Sequence, residues 1–261
     1  MQVKRWITKE RLMQGGLLLL PPFTAFYLMQ FILGAFPWEM APGVVLANAL
    51  CIGAVYYLLW AATGHPAVCC VLLHLACGLW GTANYFVSLY RGTPVLPWDL
   101  TALETAAAVS GSYSYVPTEP MLVGAVLVLV LIWVLRKEFR KGRFLMDRHT
   151  APVRLGCLAV GIACLGVAVA PERLEELGVQ TDVWDQTGAY RTSGAVAAFL
   201  CNLEFLEVDE PEDLSAQRLS WIMDQVEVPE ETAVSVDHPN IVAIMNESWA
   251  DFEEFGNLSL T

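Results

Sequence analysis

The chain has 261 residues, of which 56% are hydrophobic and only 16% are charged, a composition that argues against a soluble globule and for a membrane protein. Its net charge of −12 is unevenly divided: residues 1–171 carry 12 Lys and Arg against 7 Asp and Glu, whereas residues 172–261 carry 3 against 20. This asymmetry predicts two environments along one chain, and it indicates no nucleic-acid partner.

Five apolar stretches approach or reach the roughly 20 residues that a helix needs to cross the hydrocarbon core of a bilayer. Residues 1–171 are therefore predicted to form an α-helical multi-pass bundle, with transmembrane helices at 15–35, 43–62, 66–86, 119–135 and 153–170. The pair Pro21–Pro22 predicts a kink in the first helix. A signal peptide is the alternative for that stretch, but its apolar run is too long and no small-residue cleavage site follows.

The basic residues predict the orientation of this bundle. Residues 1–14 and 136–154 together hold 11 of the 15 Lys and Arg, and five crossings place both segments on the same side. By the positive-inside rule that side is the cytoplasm. The sequence therefore predicts a multi-pass protein of the plasma membrane, with a cytoplasmic amino terminus and an extracellular carboxyl-terminal part.

Two features of the membrane half are candidates for function. His74 lies in the third predicted helix, where ionisable residues are rare and often functional, but without a second ionisable group in that span a neutral, hydrogen-bonded histidine is the simpler interpretation. The following loop, NYFVSLYRGTPVLPWDLTALETAAAVSGSYSYVP, places Arg91, Trp98 and Asp99 near headgroup depth, behind an aromatic belt. Arg91 either contacts a lipid phosphate, whose geometry its guanidinium matches, or belongs to interfacial anchoring and helix capping.

The same loop carries a signal for a short helix. Thr101 and Glu104 fit the T-x-x-E capping box, which predicts that an alanine-rich helix begins there with Thr101 as its N-cap. The loop is therefore expected to be partly helical.

Residues 172–235 are predicted to form an extracellular juxtamembrane linker with some helix. The apolar segment 194–206 is too short to span a bilayer, and it is expected to lie along the membrane or to pack under a following domain. Ser215 is the predicted N-cap of a helix near residues 214–226.

The cysteines carry no metal or disulfide pattern. Six of the seven lie inside apolar runs, where they are expected to act as small hydrophobic side chains, and Cys201 is alone in the acidic half. Because no C-x-x-C pair occurs, the sequence predicts neither a disulfide framework nor a zinc site.

The last predicted element lies in residues 236–261. The apolar run Ile241–Met245 predicts a strand that is buried on both faces, as in a parallel α/β sheet, and that ends in Asn-Glu-Ser. Ligands of such sheets bind beyond the carboxyl ends of the strands, so Glu247 is a candidate ligand for a divalent cation. One carboxylate is not a metal site, and a loop or helix-capping carboxylate is the alternative interpretation.

Several of these pieces together resemble the membrane portion of the lipoteichoic acid synthase family. They are the multiple spans, the loop NYFVSLYRGTPVLPWDL, the segment YRTSGAVAAFLCNLEFL and the strand end NIVAIMNES. Members of that family are phosphoglycerol transferases with an extracellular, sulfatase-like catalytic domain of the alkaline-phosphatase α/β fold. The resemblance implies that residues 236–261 are the incomplete start of such a domain and supply only its first β-strand.

The resemblance also implies a chemistry. In that family the first strand ends in a glutamate that binds a divalent metal, usually manganese, and Glu247 matches this position. A threonine nucleophile follows some tens of residues later, so Thr261 is too close to Glu247 to be its counterpart, and this chain alone is expected to be inactive. The implied activity is transfer of phosphoglycerol from phosphatidylglycerol to a polyglycerolphosphate or glycolipid acceptor.

Two other functions are compatible with the same residues. A sulfatase-like hydrolase of another anionic ester would share the first strand, because that strand alone does not fix the substrate. A non-enzymatic membrane scaffold or lipid-binding module would share the helices, with a tail that merely resembles the strand.

Overall fold

The computed structural model describes residues 15–140, 151–206 and 215–225, which are mostly helical and contain no β-strand. The α-helices are α1 (Pro21–Leu33), α2 (Pro42–Thr63), α3 (Pro66–Arg91), α4 (Leu103–Ser110), α5 (Glu119–Arg140), α6 (Ala151–Ala168), α7 (Pro171–Glu176), α8 (Gln186–Ser193), α9 (Ala195–Cys201) and α10 (Ala216–Gln225). Short 3-10 turns occupy Pro37–Glu39, Pro97–Ala102 and Asn202–Leu206. The strand predicted in residues 236–261, with Glu247 at its end, lies outside the described residues.

Four of the described helices are long and apolar enough to cross a membrane. They are α2, α3, the Glu119–Glu138 part of α5, and α6, with 18 to 26 residues each and mean hydropathies of 1.6 to 2.1. Large apolar side chains on α5 and α6 are exposed, such as Leu129 at 64% and Leu155 at 65%, as expected of faces that meet lipid. The predicted fold class is confirmed to this extent: the described residues up to Leu206 form a helical bundle with four helices of the membrane type.

The first predicted span is a helix bent by its two prolines. Residues 15–19 are helical, and a bend separates them from α1. Because Pro21–Pro22 has no N–H groups, the carbonyls of Leu17 and Leu18 lose their helical donors. The hydroxyls of Tyr56 and Tyr57 on α2 donate to these carbonyls, each at 2.7 Å. The predicted kink is confirmed, and adjacent tyrosines satisfy the backbone that it exposes.

Helix α2 is the most buried of the four long helices. In its apolar window 67% of the residues are buried, against 22% in α5 and in α6. It packs most extensively on α6, where a Cβ added to Gly161 would lie 2.9 Å from the Leu58 side chain. Where α2 ends, the Arg154 guanidinium of α6 donates to the carbonyls of Ala61 and Ala62 at 2.8 Å each. These bonds satisfy acceptors that a helix C-terminus leaves unpaired.

The opposite end of the bundle is built from the segments 34–41, 92–118 and 169–206, and is called the loop end below. The segment 169–206 belongs to the same compact unit as the long helices, which the sequence analysis had separated from it near residue 171. Within this segment α9 packs on α2, α7 and α8. The apolar stretch 194–206 forms α9 and a 3-10 turn, too short to span a bilayer, as predicted from its length.

Two buried amides from the long helices hold α9 in place. Asn48 on α2 accepts from the Ala197 N–H at 3.0 Å and donates to the Ser193 carbonyl at 2.8 Å. Gln30 on α1 accepts from the Ala195 N–H at 3.4 Å. Helix α9 has no capping side chain of its own, so these amides satisfy the N–H groups that begin it.

Residues 215–225 belong to a second compact unit that begins at Asp209. In that unit α10 begins after Ser215, whose hydroxyl accepts from the Arg218 N–H at 3.2 Å. The N-cap and the helix predicted near residues 214–226 are confirmed.

Candidate functional site

The loop that follows α3 is held closed by the side chain of Arg91. Its guanidinium forms a bidentate pair with the carboxylate of Asp99, with Nη1 to Oδ1 at 2.6 Å and Nη2 to Oδ2 at 2.7 Å. Nε donates to Thr93 Oγ1 at 2.8 Å, and Nη2 also donates to the Pro94 carbonyl. Four of the five guanidinium N–H groups therefore point into the loop, and one N–H on Nη1 is left for another acceptor.

Asp99 also caps the 3-10 turn Pro97–Ala102. Its Oδ2 accepts from the Leu96 N–H at 2.7 Å. Partial burial is the largest single influence on the pKa of Asp99 and raises it, but the hydrogen bonds from Arg91 and Leu96 together hold that pKa below its usual range. The carboxylate is therefore ionised at neutral pH, in the state that closes the loop.

The capping box predicted at Thr101 is wrong, although the helix it predicted is present. The Thr101 hydroxyl donates to the Trp98 carbonyl at 2.7 Å inside the 3-10 turn, and α4 begins afterwards at Leu103. The side-chain cap forms earlier in the chain because Asp99 offers a charged acceptor that Arg91 also orients.

Three contacts fix the closed loop on the bundle. Asn84, fully buried on α3, accepts from the Val95 N–H at 3.0 Å. The Tyr190 hydroxyl on α8 donates to the Val95 carbonyl at 2.7 Å, and the Thr187 hydroxyl donates to the Gly92 carbonyl at 2.9 Å. Burial is the main cause that raises the pKa of Tyr190, so its phenol stays protonated and remains a donor.

The structure places the three predicted headgroup residues in this one loop. The side chain of Arg91 is 41% exposed and that of Asp99 23%, and Trp98 is 37% exposed. They lie at the loop end of the bundle, where an interfacial position is expected if the long helices cross a bilayer. Their contact with a lipid headgroup stays a prediction.

A pocket of about 340 Å³ opens beside the loop, where the ends of α1 and α3 meet α8. This loop-end pocket is lined by Leu33, Ala35, Tyr85, Ser88, Leu89, Pro94, Thr187, Tyr190 and Arg191. Arg191 is not recognisable as a functional residue from the sequence, because one arginine in a polar stretch belongs to no motif. Its scarcity was the available signal, since it is one of only three basic residues in 172–261.

His74 lines a larger cavity, of about 700 Å³, between α1, α3 and α5. Its Nδ1 lies 2.8 Å from the Cys70 carbonyl and must carry the proton, because a carbonyl only accepts. Its Nε2 lies 3.0 Å from the Thr24 hydroxyl. A neutral imidazole satisfies both contacts, and the predicted hydrogen-bonded histidine is confirmed. The described lining of the cavity includes no carboxylate.

The described residues offer no metal site. No group of three or more His, Cys, Asp or Glu side chains among them is placed to bind an ion. All seven cysteines are buried free thiols, and burial, helped by Glu204 and Glu175, raises the pKa of Cys201 to about 11. Glu247 lies outside the described residues, so the manganese ion that it would bind stays a prediction.

Comparison of the chain with protein-family models, with curated proteins and with solved structures found no match in any of the three. The functional proposal therefore rests on the residues and contacts given above.

Proposed function

We propose that this chain is the membrane-embedded part of a phosphoglycerol transferase similar to the lipoteichoic acid synthases, and that it presents phosphatidylglycerol to a catalytic centre outside the membrane. The loop RGTPVLPWDL carries this proposal. It is among the most specific pieces of the sequence resemblance, and it is also the segment that Arg91, Asp99, Asn84 and Tyr190 fix at the loop end. A preorganised loop beside an amphipathic pocket suits the positioning of a lipid headgroup.

The proposal includes an orientation in the plasma membrane. The loop end is extracellular, and the end that carries Arg136, Lys137 and Arg154 faces the cytoplasm. The bent helix of residues 15–33 is the first of five crossings, since these residues span about 28 Å at the rise of an α-helix, close to the thickness of the hydrocarbon core. In this orientation the loop-end pocket meets the headgroups of the outer leaflet.

The proposed reaction moves phosphoglycerol to a polyglycerolphosphate or glycolipid acceptor and leaves diacylglycerol in the membrane. By the resemblance, a threonine with no counterpart in this chain attacks the lipid phosphate. A divalent ion such as Mn²⁺, bound in part by Glu247, would stabilise the charge that develops on the phosphate oxygens. The described residues contribute binding: they hold the headgroup at the interface while the acyl chains stay in the bilayer.

The test is phosphoglycerol transfer in proteoliposomes that contain phosphatidylglycerol and Mn²⁺. A polypeptide that carries both Glu247 and the nucleophile should release diacylglycerol, and the present chain alone should not. Glu247→Gln should abolish turnover and specific Mn²⁺ binding together, by more than the roughly 10- to 100-fold lost when a residue that only orients a ligand is removed. Asp251→Asn, four residues after Glu247 in the sequence, is the matched control and should be much milder.

Four outcomes would contradict or redirect the proposal. Full activity of the Glu247→Gln variant, or metal-dependent turnover by the present chain, would contradict it. Hydrolysis of a different anionic ester would favour the sulfatase-like hydrolase. Retained lipid binding without any turnover would favour the non-enzymatic lipid-binding module.

A further inference from the structure

The loop-end pocket contains a positive charge that the described residues do not neutralise. Arg91 forms an ion pair with Asp99, so the charges of these two side chains neutralise each other. Arg191, in contrast, forms no hydrogen bond or ion pair with the part of the chain that the structure describes, and it is exposed at the pocket. An anion is therefore the ligand that this pocket favours electrostatically.

The contacts of α8 fix where this charge lies. Asp185 caps the helix by accepting from the Gly188 N–H at 2.8 Å. The hydroxyl of Tyr190, next to Arg191 in sequence, donates to the Val95 carbonyl at 2.7 Å. The hydroxyl of Thr187, on the same helix, donates to the Gly92 carbonyl of the loop. Arg191 lies in the last turn of α8, where a positive charge also interacts favourably with the helix dipole. That interaction does not explain why Arg191 lines a pocket. Of the hydroxyl groups in the lining, those of Thr187 and Tyr190 donate to the loop, whereas those of Ser88 and Tyr85 have no hydrogen bond to the described residues.

Much of the pocket wall is apolar, although Tyr85, Thr187 and Tyr190 also contribute hydroxyl-bearing side chains to it. Leu33, Ala35 and Pro94 line it, together with Leu89, which is 58% exposed. A free inorganic anion gains nothing from such a wall, whereas the glycerol backbone and first methylenes of a phospholipid bury apolar surface against it. The pocket lies at the ends of α1 and α3, the depth at which phospholipid phosphates are found when these helices cross a bilayer.

We propose that the loop-end pocket binds the phosphodiester of an anionic glycerophospholipid, with the Arg191 guanidinium and the Ser88 hydroxyl as donors to the phosphate oxygens. Arginine suits this role because its planar fork engages two phosphate oxygens at once. The inference rests on the proposed function in taking phosphatidylglycerol as the lipid. It differs from the predicted contact of Arg91, whose guanidinium is mostly occupied by the loop.

The experiment measures lipid binding by the full chain in nanodiscs of phosphatidylcholine. Phosphatidylglycerol spin-labelled on an acyl chain is titrated in, and the immobilised fraction is read by electron paramagnetic resonance. Arg191→Gln should weaken the affinity by about 10- to 100-fold, as expected for loss of a charge-assisted hydrogen bond. Arg191→Lys should recover part of this loss, because it keeps the charge but not the fork. Ser88→Ala should weaken binding by about 2- to 10-fold.

The matched control is Arg173→Gln on α7, which removes an exposed arginine of the same segment that does not line the pocket. It should bind as the unchanged chain does, and circular dichroism should show equal helix content for all variants. Unchanged affinity in folded Arg191→Gln, or an equal loss in Arg173→Gln, would overturn the proposal. Displacement of the lipid by millimolar inorganic phosphate would identify a free-anion site and overturn the lipid assignment.

The lipid-binding test and the phosphoglycerol-transfer test can give opposite results, so a failure of one proposal is distinguishable from a failure of the other. Lipid binding at Arg191 should be the same in the Glu247→Gln chain, because it requires no catalytic centre. Lipid binding at Arg191 without Glu247-dependent turnover would support the proposed lipid site and contradict the proposed transferase activity. Turnover that is unchanged by Arg191→Gln at limiting phosphatidylglycerol would support the proposed transferase activity and contradict the proposed lipid site.

Discussion

Arg91 and Asp99 form one hydrogen-bonded unit, and the role of either residue depends on the other. The sequence left two interpretations of Arg91, a contact with a lipid phosphate that its guanidinium geometry matches, or interfacial anchoring and helix capping. In the structure four of its five N–H groups bind Asp99, Thr93 and the Pro94 carbonyl. Its first effect is therefore to close the loop, and any effect on lipid is expected to follow from that closure.

Arg91→Ala and Asp99→Asn should each raise the phosphatidylglycerol concentration that the transferase requires, without loss of expression. Since the two side chains act as a pair, the double variant should be no worse than the more damaging single variant. Initial rates at varied lipid content provide the measurement. A strong effect of Arg91→Ala beside an unaffected Asp99→Asn would contradict this account and assign Arg91 a direct contact with the headgroup.

The same pair predicts a dependence on pH. Because folding lowers the pKa of Asp99 from its ordinary value of 3.8, the carboxylate stabilises the closed loop fully above that value. The stabilisation is lost as the pH falls through the lowered, folded-state pKa. Proteolysis within residues 92–102 by an acid-tolerant protease should therefore stay slow in mild acid and accelerate only in strong acid. Opening of the loop near pH 6 would be the wrong result.

Tyr56 and Tyr57 should stabilise the fold through the carbonyls that the prolines leave unpaired. Tyr56→Phe should lower the free energy of unfolding in detergent by roughly 1 kcal/mol, because the Leu17 carbonyl then has no donor. In a Pro21→Ala background the loss should shrink, since the restored N–H can bind that carbonyl. Tyr27→Phe is the control, because Tyr27 is 41% exposed and its hydroxyl has no hydrogen bond to the described residues. Equal effects of Tyr56→Phe and Tyr27→Phe would refute this account.

At the scale of elements, α9 depends on a backbone conformation that only glycine supplies. Gly194 has φ 79° and ψ 143°, and a Cβ there would lie 2.4 Å from Asn48 Nδ2. Asn48 must stay close, because it binds both the Ser193 carbonyl and the Ala197 N–H. The Asn48 side chain, Gly194 and α9 therefore form one contact that attaches the segment 169–206 to α2.

Gly194→Ala should release that segment and destabilise the protein by at least about 3 kcal/mol, from backbone strain and the clash with Asn48. Gly92→Ala is the matched control: its φ of 81° is also left-handed, but nothing lies within 4 Å of the added Cβ. It should cost only about 1 to 2 kcal/mol. Limited proteolysis of residues 171–206 and thermal unfolding measure both. Similar behaviour of the two variants would show that Asn48 does not hold α9.

The positions of the helices were largely predictable from the sequence, whereas the long-range contacts between them were not. Apolar runs located α2, α3, α5 and α6 because burial in lipid requires long stretches without charge, and Ser215 marked the start of α10 because an N-cap is a local signal. Asn48 and Ala197 are 149 positions apart, and hydrophobic periodicity carries no information on such a pair. The loop-end pocket was not predictable for the same reason, since Ser88 and Arg191 line one pocket only when α8 packs beside α3.

At the scale of the whole molecule, the account requires that the two ends of the bundle face opposite sides of the membrane. The loop end carries the closed loop, the pocket and the segment 169–206, and the opposite end carries Arg136, Lys137 and Arg154. A transferase that takes phosphatidylglycerol from the outer leaflet needs the loop end outside. The opposite orientation would place the pocket in the cytoplasm and end both proposals.

The most direct measurement is labelling of single added cysteines in intact cells with a membrane-impermeant maleimide. The native background is silent because all seven cysteines are buried, including Cys201 at 3% exposure. Glu176→Cys adds an exposed thiol at the loop end, and His65→Cys adds one between α2 and α3 at the other end. The account predicts that Glu176→Cys is labelled in intact cells and His65→Cys only after permeabilisation. Labelling of His65→Cys in intact cells, with Glu176→Cys protected until permeabilisation, would contradict it.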